Sequence, residues 1–395
     1  MPKFPTRIIA AIGLACAIAN AAPFTPTSDD EVVERLPAGA TDPSVRRVDS
    51  LRKQLAARPD DAGLRLEIGR RYFDLAMAQG DPRYVGYASA AIRPLAQSAA
   101  GDARYWLIRG LIQQYSHDFA GALESLEKAG ALDPGSPEPI AWRAAIHMVQ
   151  ARYREALSEC TRLVPLAHPL HAQGCTAYVL ASTGQLAPAY ESFGKELDNA
   201  GAVAPELVLW ARTRLAEMAI RLQRFGEAES HFKEGFRQGI TDQFLLGAYA
   251  DFLLMQKRPA EVLRLLETWE RSDILLLRLA LAGRALNDSR AAGWAGQLRE
   301  RFAAAAQRGD RLHEQEAARF ELDVEGKPDR AVVLAQRNYQ VQKEPRDAEI
   351  LLRAALASNQ PRAARPALDW LHGNQYQDPE LARTDAELVA KGAML

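Results

Sequence analysis

The residues best suited to chemistry in this 395-residue sequence are two cysteines and two histidines. Cys160 and Cys175 enclose His168 and His171. In an oxidising compartment, a disulfide across this short connection is expected to stabilise the fold by about 3 kcal/mol, because it restricts the unfolded chain. Two other interpretations stay open. Cys160 could be a small core residue only, or the two thiolates and two imidazoles could hold a zinc or copper ion.

Sequence motifs of enzymes are absent from the rest of the chain. The sequence contains no glycine-rich phosphate loop, no G-x-S-x-G elbow and no H-E-x-x-H motif, and His313-Glu314 lacks the second histidine. Aspartates and glutamates are numerous, but their helical spacing is typical of solvated faces. We therefore expect no enzymatic activity, no catalytic residue and no cofactor.

The charge balance excludes further classes of protein. Lys and Arg number 49 against 50 Asp and Glu, for a net charge of −1, whereas a nucleic-acid surface needs clustered positive charge. Beyond the amino-terminal signal, no segment reaches the roughly 18 apolar residues of a membrane-spanning helix. We expect neither a nucleic-acid partner nor an integral membrane segment after signal removal.

The amino terminus has the features of an export signal. Lys3 and Arg7 precede a short apolar run, and Ala19 and Ala21 follow it in the A-x-A spacing of a signal-peptidase site. Residues 1–21 are therefore predicted to be a signal peptide cleaved near Ala21. The mature protein is then expected to be periplasmic or secreted.

A lipoprotein signal is the weaker interpretation of the same segment. Acylation at Cys16 would anchor the chain, but Gly13 stands where such a signal has a branched aliphatic residue. We therefore favour cleavage and soluble export over a lipid anchor.

Composition and periodicity divide the remaining chain into four parts. Residues 22–43 are rich in Pro, Ser, Thr and Asp and predict a flexible leader. Apolar residues at three- and four-residue steps predict an N-terminal capping helix within 44–61. Residues 62–372 form a repeat array, and 373–395 a polar C-terminal capping helix and tail.

The repeats are marked by small residues at one point of each second helix. The first three intervals between them are 34, 34 and 33 residues. An aromatic or aliphatic residue usually precedes the small one by three positions, and an apolar or sulfur side chain follows one helical turn later, which places both on a buried face. The small residues are Ala88, Ala122, Ala156, Ala189, Ala228, Val262, Ala292 (or Ala295), Ala331 and Ala364.

The unit at 102–135 carries the fullest pattern, with Trp106, Gly110, Phe119, Ala122, Leu126, Ala129 and Pro134. With this period and these residues, the chain resembles the tetratricopeptide repeat family. The resemblance implies an all-α fold, a tetratricopeptide-repeat solenoid. Such a solenoid is a right-handed superhelix of antiparallel helix pairs, here with about eight or nine repeats and capping helices.

The resemblance also implies a concave groove, lined by the first helix of each pair, that holds a protein or peptide. The family's groove-facing positions correspond here to Arg104, Leu107, Leu111, Tyr115, Met148, Tyr178, Trp210, Glu217, Arg221, Phe244, Asp251 and Met255, with His171 as a further candidate. Aromatic, methionine and isolated charged side chains suit a surface that grips apolar anchors and orients them by polar contacts.

These observations favour a non-catalytic exported scaffold that binds a protein or peptide partner of the cell envelope, in the assembly of an envelope complex. The alternative is a periplasmic metal- or small-ligand-binding protein that uses the Cys160–His171 region. An enzyme acting on envelope polymers is a third class, but no residue in the sequence favours it.

Overall fold

The computed structural model describes residues 43–393, and all regular structure within them is helical. The predicted signal peptide, the lipid site at Cys16 and nearly all of the leader lie outside these residues. The α-helices are α1 (Pro43–Ala57), α2 (Ala62–Gln79), α3 (Arg83–Ile92), α4 (Ala103–Tyr115), α5 (Phe119–Leu132), α6 (Glu138–Val149), α7 (Tyr153–Leu163), α8 (Pro169–Ala181), α9 (Leu186–Asn199), α10 (Pro205–Arg221), α11 (Phe225–Phe236), α12 (Gln243–Met255), α13 (Pro259–Leu265), α14 (Asp273–Leu286), α15 (Ala291–Gln307), α16 (Glu314–Arg319), α17 (Pro328–Tyr339), α18 (Pro345–Ala357), α19 (Arg365–Gly373) and α20 (Pro379–Ala390). Short 3-10 turns at Arg93–Leu95 and Pro361–Ala364 and a π-helical turn at Phe320–Val324 complete the described chain.

Consecutive helices pack as antiparallel pairs, beginning with α2 and α3 and ending with α18 and α19. Each pair also contacts the next, so the described residues form one continuous array of nine pairs. Helix α1 packs on α2 at one end, and α20 packs on α18 at the other. The predicted all-α array of helix pairs with capping helices is confirmed. No helix between residues 43 and 393 is long and apolar enough to cross a membrane.

The turn inside nearly every pair is built in the same way. After the first helix the chain takes one residue in the left-handed region, and the second helix then starts within a few residues. Residues other than glycine are strained in this conformation. Because the left-handed residue recurs even where it is not glycine, we infer that the packing of the two helices imposes the turn. These residues are Gly80, His117, Ala151, Gly184, Gln223, Lys257, Asn287, Gly326 and Asn359.

The small residues that define the period lie where the second helix meets the first. Every one of them outside α15 is at most 2 % exposed. A Cβ on Gly110 of α4 would lie 2.8 Å from Leu126 Cγ of α5, so the missing side chain permits the close approach. In α15 the pattern offered Ala292 or Ala295, and of these Ala295 is half-buried at the edge of the core. Ala291 faces Gly283 of α14, whereas Ala292 is exposed.

Gly174 in α8 offers a direct test of this close packing. A Cβ there would lie 2.5 Å from Phe193 Cε2 and 2.7 Å from Trp210 Cζ3. We expect Gly174→Ala to lower the free energy of unfolding by about 1–3 kcal/mol, because neither ring can move without disturbing the core.

The control is Gly194→Ala in α9, whose Cβ meets no atom within 4 Å. There the better helix propensity of alanine should raise the stability by up to about 1 kcal/mol. Urea unfolding measures the stability of both variants, and an equal change in the free energy of unfolding would contradict close packing at Gly174.

The carboxyl-terminal helices also pack against the middle of the array. The indole Nε1 of Trp370 in α19 donates to Tyr153 Oη of α7 over 3.0 Å. The backbone N–H of Lys343 donates to the carbonyl of Val149 over 2.7 Å. The buried cluster of α16–α20 accordingly includes side chains from α6, α7 and α8. Helices far apart in sequence therefore share one core.

Candidate functional site

The predicted groove residues lie in three environments. Arg104 and Met255 are exposed, Leu111 and Arg221 are buried, and the half-buried residues are Leu107, Tyr115, Met148, Tyr178, Trp210, Glu217, Phe244 and Asp251. Burial and existing contacts decide which of these side chains a partner could reach.

Leu111 is a core residue, and its assignment to the groove was wrong. It is 0 % exposed and lies in the apolar cluster shared by α1, α2, α3 and α4. Leu107 and Tyr115, one turn before and one turn after it, pack at the edge of the same cluster. Residues four apart share a helical face, and in α4 that face turns toward the neighbouring helices.

Arg221 is bound by the chain's own carboxyl-terminal segment. Its Nε donates to the carbonyl of Gln377 over 2.9 Å, and its Nη2 donates to the carbonyl of Ala181 over 2.6 Å. The guanidinium carbon lies 3.8 Å from the ring centroid of Tyr376. The side chain is thus fully engaged at the end of α10, and the assignment of Arg221 to a partner-binding surface was wrong.

Several half-buried apolar side chains also serve the packing of the array. The Trp210 ring centroid lies 5.8 Å from that of Phe193 and 5.5 Å from that of His171. Met148 packs against the carboxyl-terminal cluster. Phe244, near the start of α12, is half-buried, and Met255 at its end keeps 40 % of its surface exposed. Met255 is therefore the most accessible of the predicted apolar anchors.

Tyr178 and Glu217 meet through an arginine that the sequence analysis did not select. Arg214 Nη1 donates to Tyr178 Oη over 3.0 Å and to Glu217 Oε2 over 2.8 Å. The guanidinium carbon also lies 4.9 Å from the Tyr178 ring centroid. Burial raises the pKa of Tyr178, so the phenol stays protonated. These three side chains join α8 to α10 on one polar surface.

Asp251 links three successive first helices. Its Oδ2 lies 2.5 Å from Arg278 Nη2 of α14, and its Oδ1 lies 2.8 Å from Arg319 Nη1 of α16. Burial alone would raise the pKa of Asp251, but the two guanidiniums lower it to about 2. Asp251 therefore forms ion pairs with two neighbouring repeats, and both of its carboxylate oxygens already have a partner.

Helix α18 brings further charges close to Arg214, Glu217, Asp251 and Arg319. We call the surface that these four side chains form with Arg346 and Glu349 the interior surface. Glu344 lies 3.5 Å from Arg346 and contributes most to raising the pKa of the Arg346 guanidinium. Glu217 of α10 and Glu316 of α16 raise this pKa further, whereas burial lowers it. Charged groups of other first helices lie near Arg346 and Glu349, yet these two side chains are 39 % and 49 % exposed. The first helices α10, α16 and α18 thus face one another across a water-accessible interior surface.

The cysteines are joined in a disulfide between α7 and α8, with Cα atoms 5.5 Å apart. His168 Nδ1 accepts the N–H of Leu170 at the start of α8, and His171 contacts the Trp210 ring. The pairing uses both thiolates that a metal site here would need. Among residues 43–393, no three His, Cys, Asp or Glu side chains are grouped to hold a metal ion.

Sequence reasoning missed four charged residues of the interior surface, Arg214, Arg319, Arg346 and Glu349. Arg214 lies one turn before the predicted Glu217, so a wider stripe along α10 would have included it. The other three belong to first helices after Val262, where the spacing of the small residues is irregular. The structure pairs α16 with α17 and α18 with α19, and this pairing identifies the first helices that the irregular spacing of small residues did not identify.

Comparison with known proteins adds no family assignment. No protein-family model matches the chain, and no curated protein matches it. Among solved structures, the chain is similar to PilW, a widely conserved type IV pilus biogenesis factor, at 19 % identity and a TM-score of 0.34, with 60 % of this chain and 94 % of PilW covered. It is similar to yeast Tom70 at 12 % identity and a TM-score of 0.42, with 90 % and 86 % covered.

A third similar structure is a tetratricopeptide repeat protein from Parabacteroides merdae. It shows 14 % identity and a TM-score of 0.33, with 78 % of this chain and 99 % of that chain covered. At such scores these likenesses carry no argument about activity or partner. The site must therefore be judged from the side chains of this chain.

Proposed function

We propose that the chain is a non-catalytic scaffold that binds a protein or peptide partner along the interior surface of its first helices. The observation that carries this proposal is the exposure of Arg346 and Glu349, which lie near charged groups of other first helices and still reach water. A surface of this kind, with charges of both signs beside half-buried aromatic rings, suits a segment held by several polar contacts.

The setting we propose is the bacterial cell envelope, after export through the predicted signal at residues 1–21. The disulfide between Cys160 and Cys175 supports this setting, because such bonds persist in oxidising compartments. A scaffold role in the assembly of an envelope complex follows from the combination of export with an interaction surface. The metal-binding alternative lacks free thiolates in this structure.

Site-specific photo-crosslinking tests the proposal in cells that make the full chain. A photo-reactive residue is placed at Glu349 or at Met255, which follows Asp251 by one turn on α12, and in control variants at Glu127 or Glu191. The two controls lie on second helices and are 75 % and 62 % exposed. We expect a discrete crosslinked partner from positions 349 and 255 and little from 127 and 191. Equal labelling from all four positions would contradict the assignment of the interior surface.

A further inference from the structure

A second candidate site is formed mainly by second helices and the turns beside them. It is a cleft of about 700 Å³ between the turn after α6 and the helices α17, α18 and α19. This volume is within the range of small-molecule sites, about 300–1,000 Å³. The cleft exists because Lys343 N–H is bonded to the carbonyl of Val149 and Trp370 is bonded to Tyr153, which fixes the carboxyl-terminal helices beside that turn.

The charges around the cleft select for an anion. No aspartate or glutamate lines it. Two cations do, and Arg337 is already paired with Glu314 Oε1 over 2.7 Å. In the described part of the chain, the Lys343 ammonium has neither an ion-pair nor a hydrogen-bond partner. Lys343 is half-buried, so its charge is less screened here than it would be at an exposed site.

Two polar atoms in the lining residues have unmade hydrogen bonds. Tyr339 is 3 % exposed, and its Oη has no partner among residues 43–393. Gln150 Oε1 is likewise buried without a partner in this region. Both oxygens are closed to water, so they lie behind the cleft wall, and a ligand in the cleft does not contact them.

The remaining lining combines carboxamides with apolar carbon. Gln336, Gln340 and Asn374 join Gln150, and each carboxamide both donates and accepts, as hydroxyl groups do. Val333, which is 53 % exposed, and Pro366 provide apolar edges. A peptide backbone offers one donor and one acceptor per residue, whereas a sugar ring presents several adjacent hydroxyls and apolar C–H faces. The lining matches the sugar better.

We propose that this cleft binds an acidic saccharide, with the carboxylate of a hexuronic acid unit at Lys343 and its hydroxyls at the exposed carboxamides of Gln336 and Gln340. The site is formed mainly by second helices and is independent of the partner surface proposed above. The chain would therefore bind a saccharide at this cleft in addition to a protein or peptide partner on the interior surface.

The test is calorimetric titration of the full mature chain with D-glucuronate and D-galacturonate, with D-glucose and D-galactose as uncharged probes. We expect saturable binding of at least one hexuronate and weaker binding of the neutral sugars. Lys343→Gln should weaken the binding about tenfold, as expected for loss of one charge-assisted contact. Tyr339→Phe should leave the affinity unchanged, because the phenol oxygen lies behind the cleft wall.

The matched control is Lys195→Gln on α9, an exposed lysine outside the cleft, which should leave the affinity unchanged. Absence of hexuronate binding at millimolar concentration would overturn the proposal, as would equal affinity in the Lys343→Gln variant. Binding of a short peptide with a free carboxylate in place of the sugars would also overturn it and would reassign the cleft to chain ends.

Discussion

Replacement of Asp251 by Asn is expected to lower the free energy of unfolding by about 3 kcal/mol. The carboxylate balances Arg278, whose side chain is 4 % exposed, and Arg319 at 17 %. An Asn side chain of the same shape would direct one N–H₂ group at a guanidinium, leaving a buried cation unpaired. Breaking one partner of a buried ion pair costs about 3–5 kcal/mol, and the partial exposure of Asp251 places this site at the lower end. Urea unfolding followed by circular dichroism measures the change.

Asp369→Asn is the matched control, because Asp369 pairs with Arg365 over 2.9 Å at a site where both side chains are at least half exposed. An exposed pair contributes at most about 1 kcal/mol. The pH dependence gives a second readout. The folded-state pKa of Asp251, about 2, lies below its ordinary 3.8, so its contribution is present above pH 3.8 and is lost as the pH falls toward 2. A variant as stable as the parent at neutral pH would contradict this account.

Loss of the Cys160–Cys175 disulfide is expected to have an effect of similar size. The bond closes a connection of 15 residues between α7 and α8, which in the chain-entropy model stabilises the fold by about 3 kcal/mol. The Cys160→Ala, Cys175→Ala double variant should therefore unfold at a lower urea concentration than the parent. Mass spectrometry after alkylation of the mature chain from the periplasm should find no free thiol unless the sample is first reduced.

The control for this experiment is the reductant itself. Reduction should shift the unfolding midpoint of the parent toward that of the double variant and leave the double variant unchanged. Two alkylated thiols in the non-reduced mature chain would rule the disulfide out in the cell and reopen the metal-binding alternative.

The local features of the fold could be predicted from the sequence because they depend on short-range chemistry. The small residues such as Ala122 and Ala156 recur at the repeat period, and burial at each of them follows from the close approach of paired helices. In α15 the regular spacing ends, and Ala291 takes the place that the pattern assigned to Ala292 or Ala295. The misassignment of Leu111 is of the same kind, because one helical position rotates a side chain by about 100° and exchanges groove for core.

The contacts between distant repeats could not be predicted in this way. Arg221 meets Gln377 and Tyr376 across more than 150 positions of sequence, and its environment depends on small rotations accumulated from pair to pair. The same accumulation brings Arg346 of α18 opposite Glu217 of α10. The interior surface therefore combines residues that a single repeat unit does not identify, which is why most of its charged members were missed.

The measurement that tests partner binding most directly is the ratio of partner crosslinked from position 349 to that crosslinked from position 127, at equal expression of the two variants. Glu349 faces the interior surface and Glu127 the outside of the array, and both side chains reach water. We expect a large excess of one discrete partner from position 349, and the charge change Arg346→Glu should reduce it. A ratio near one, or an excess from position 127, would contradict it.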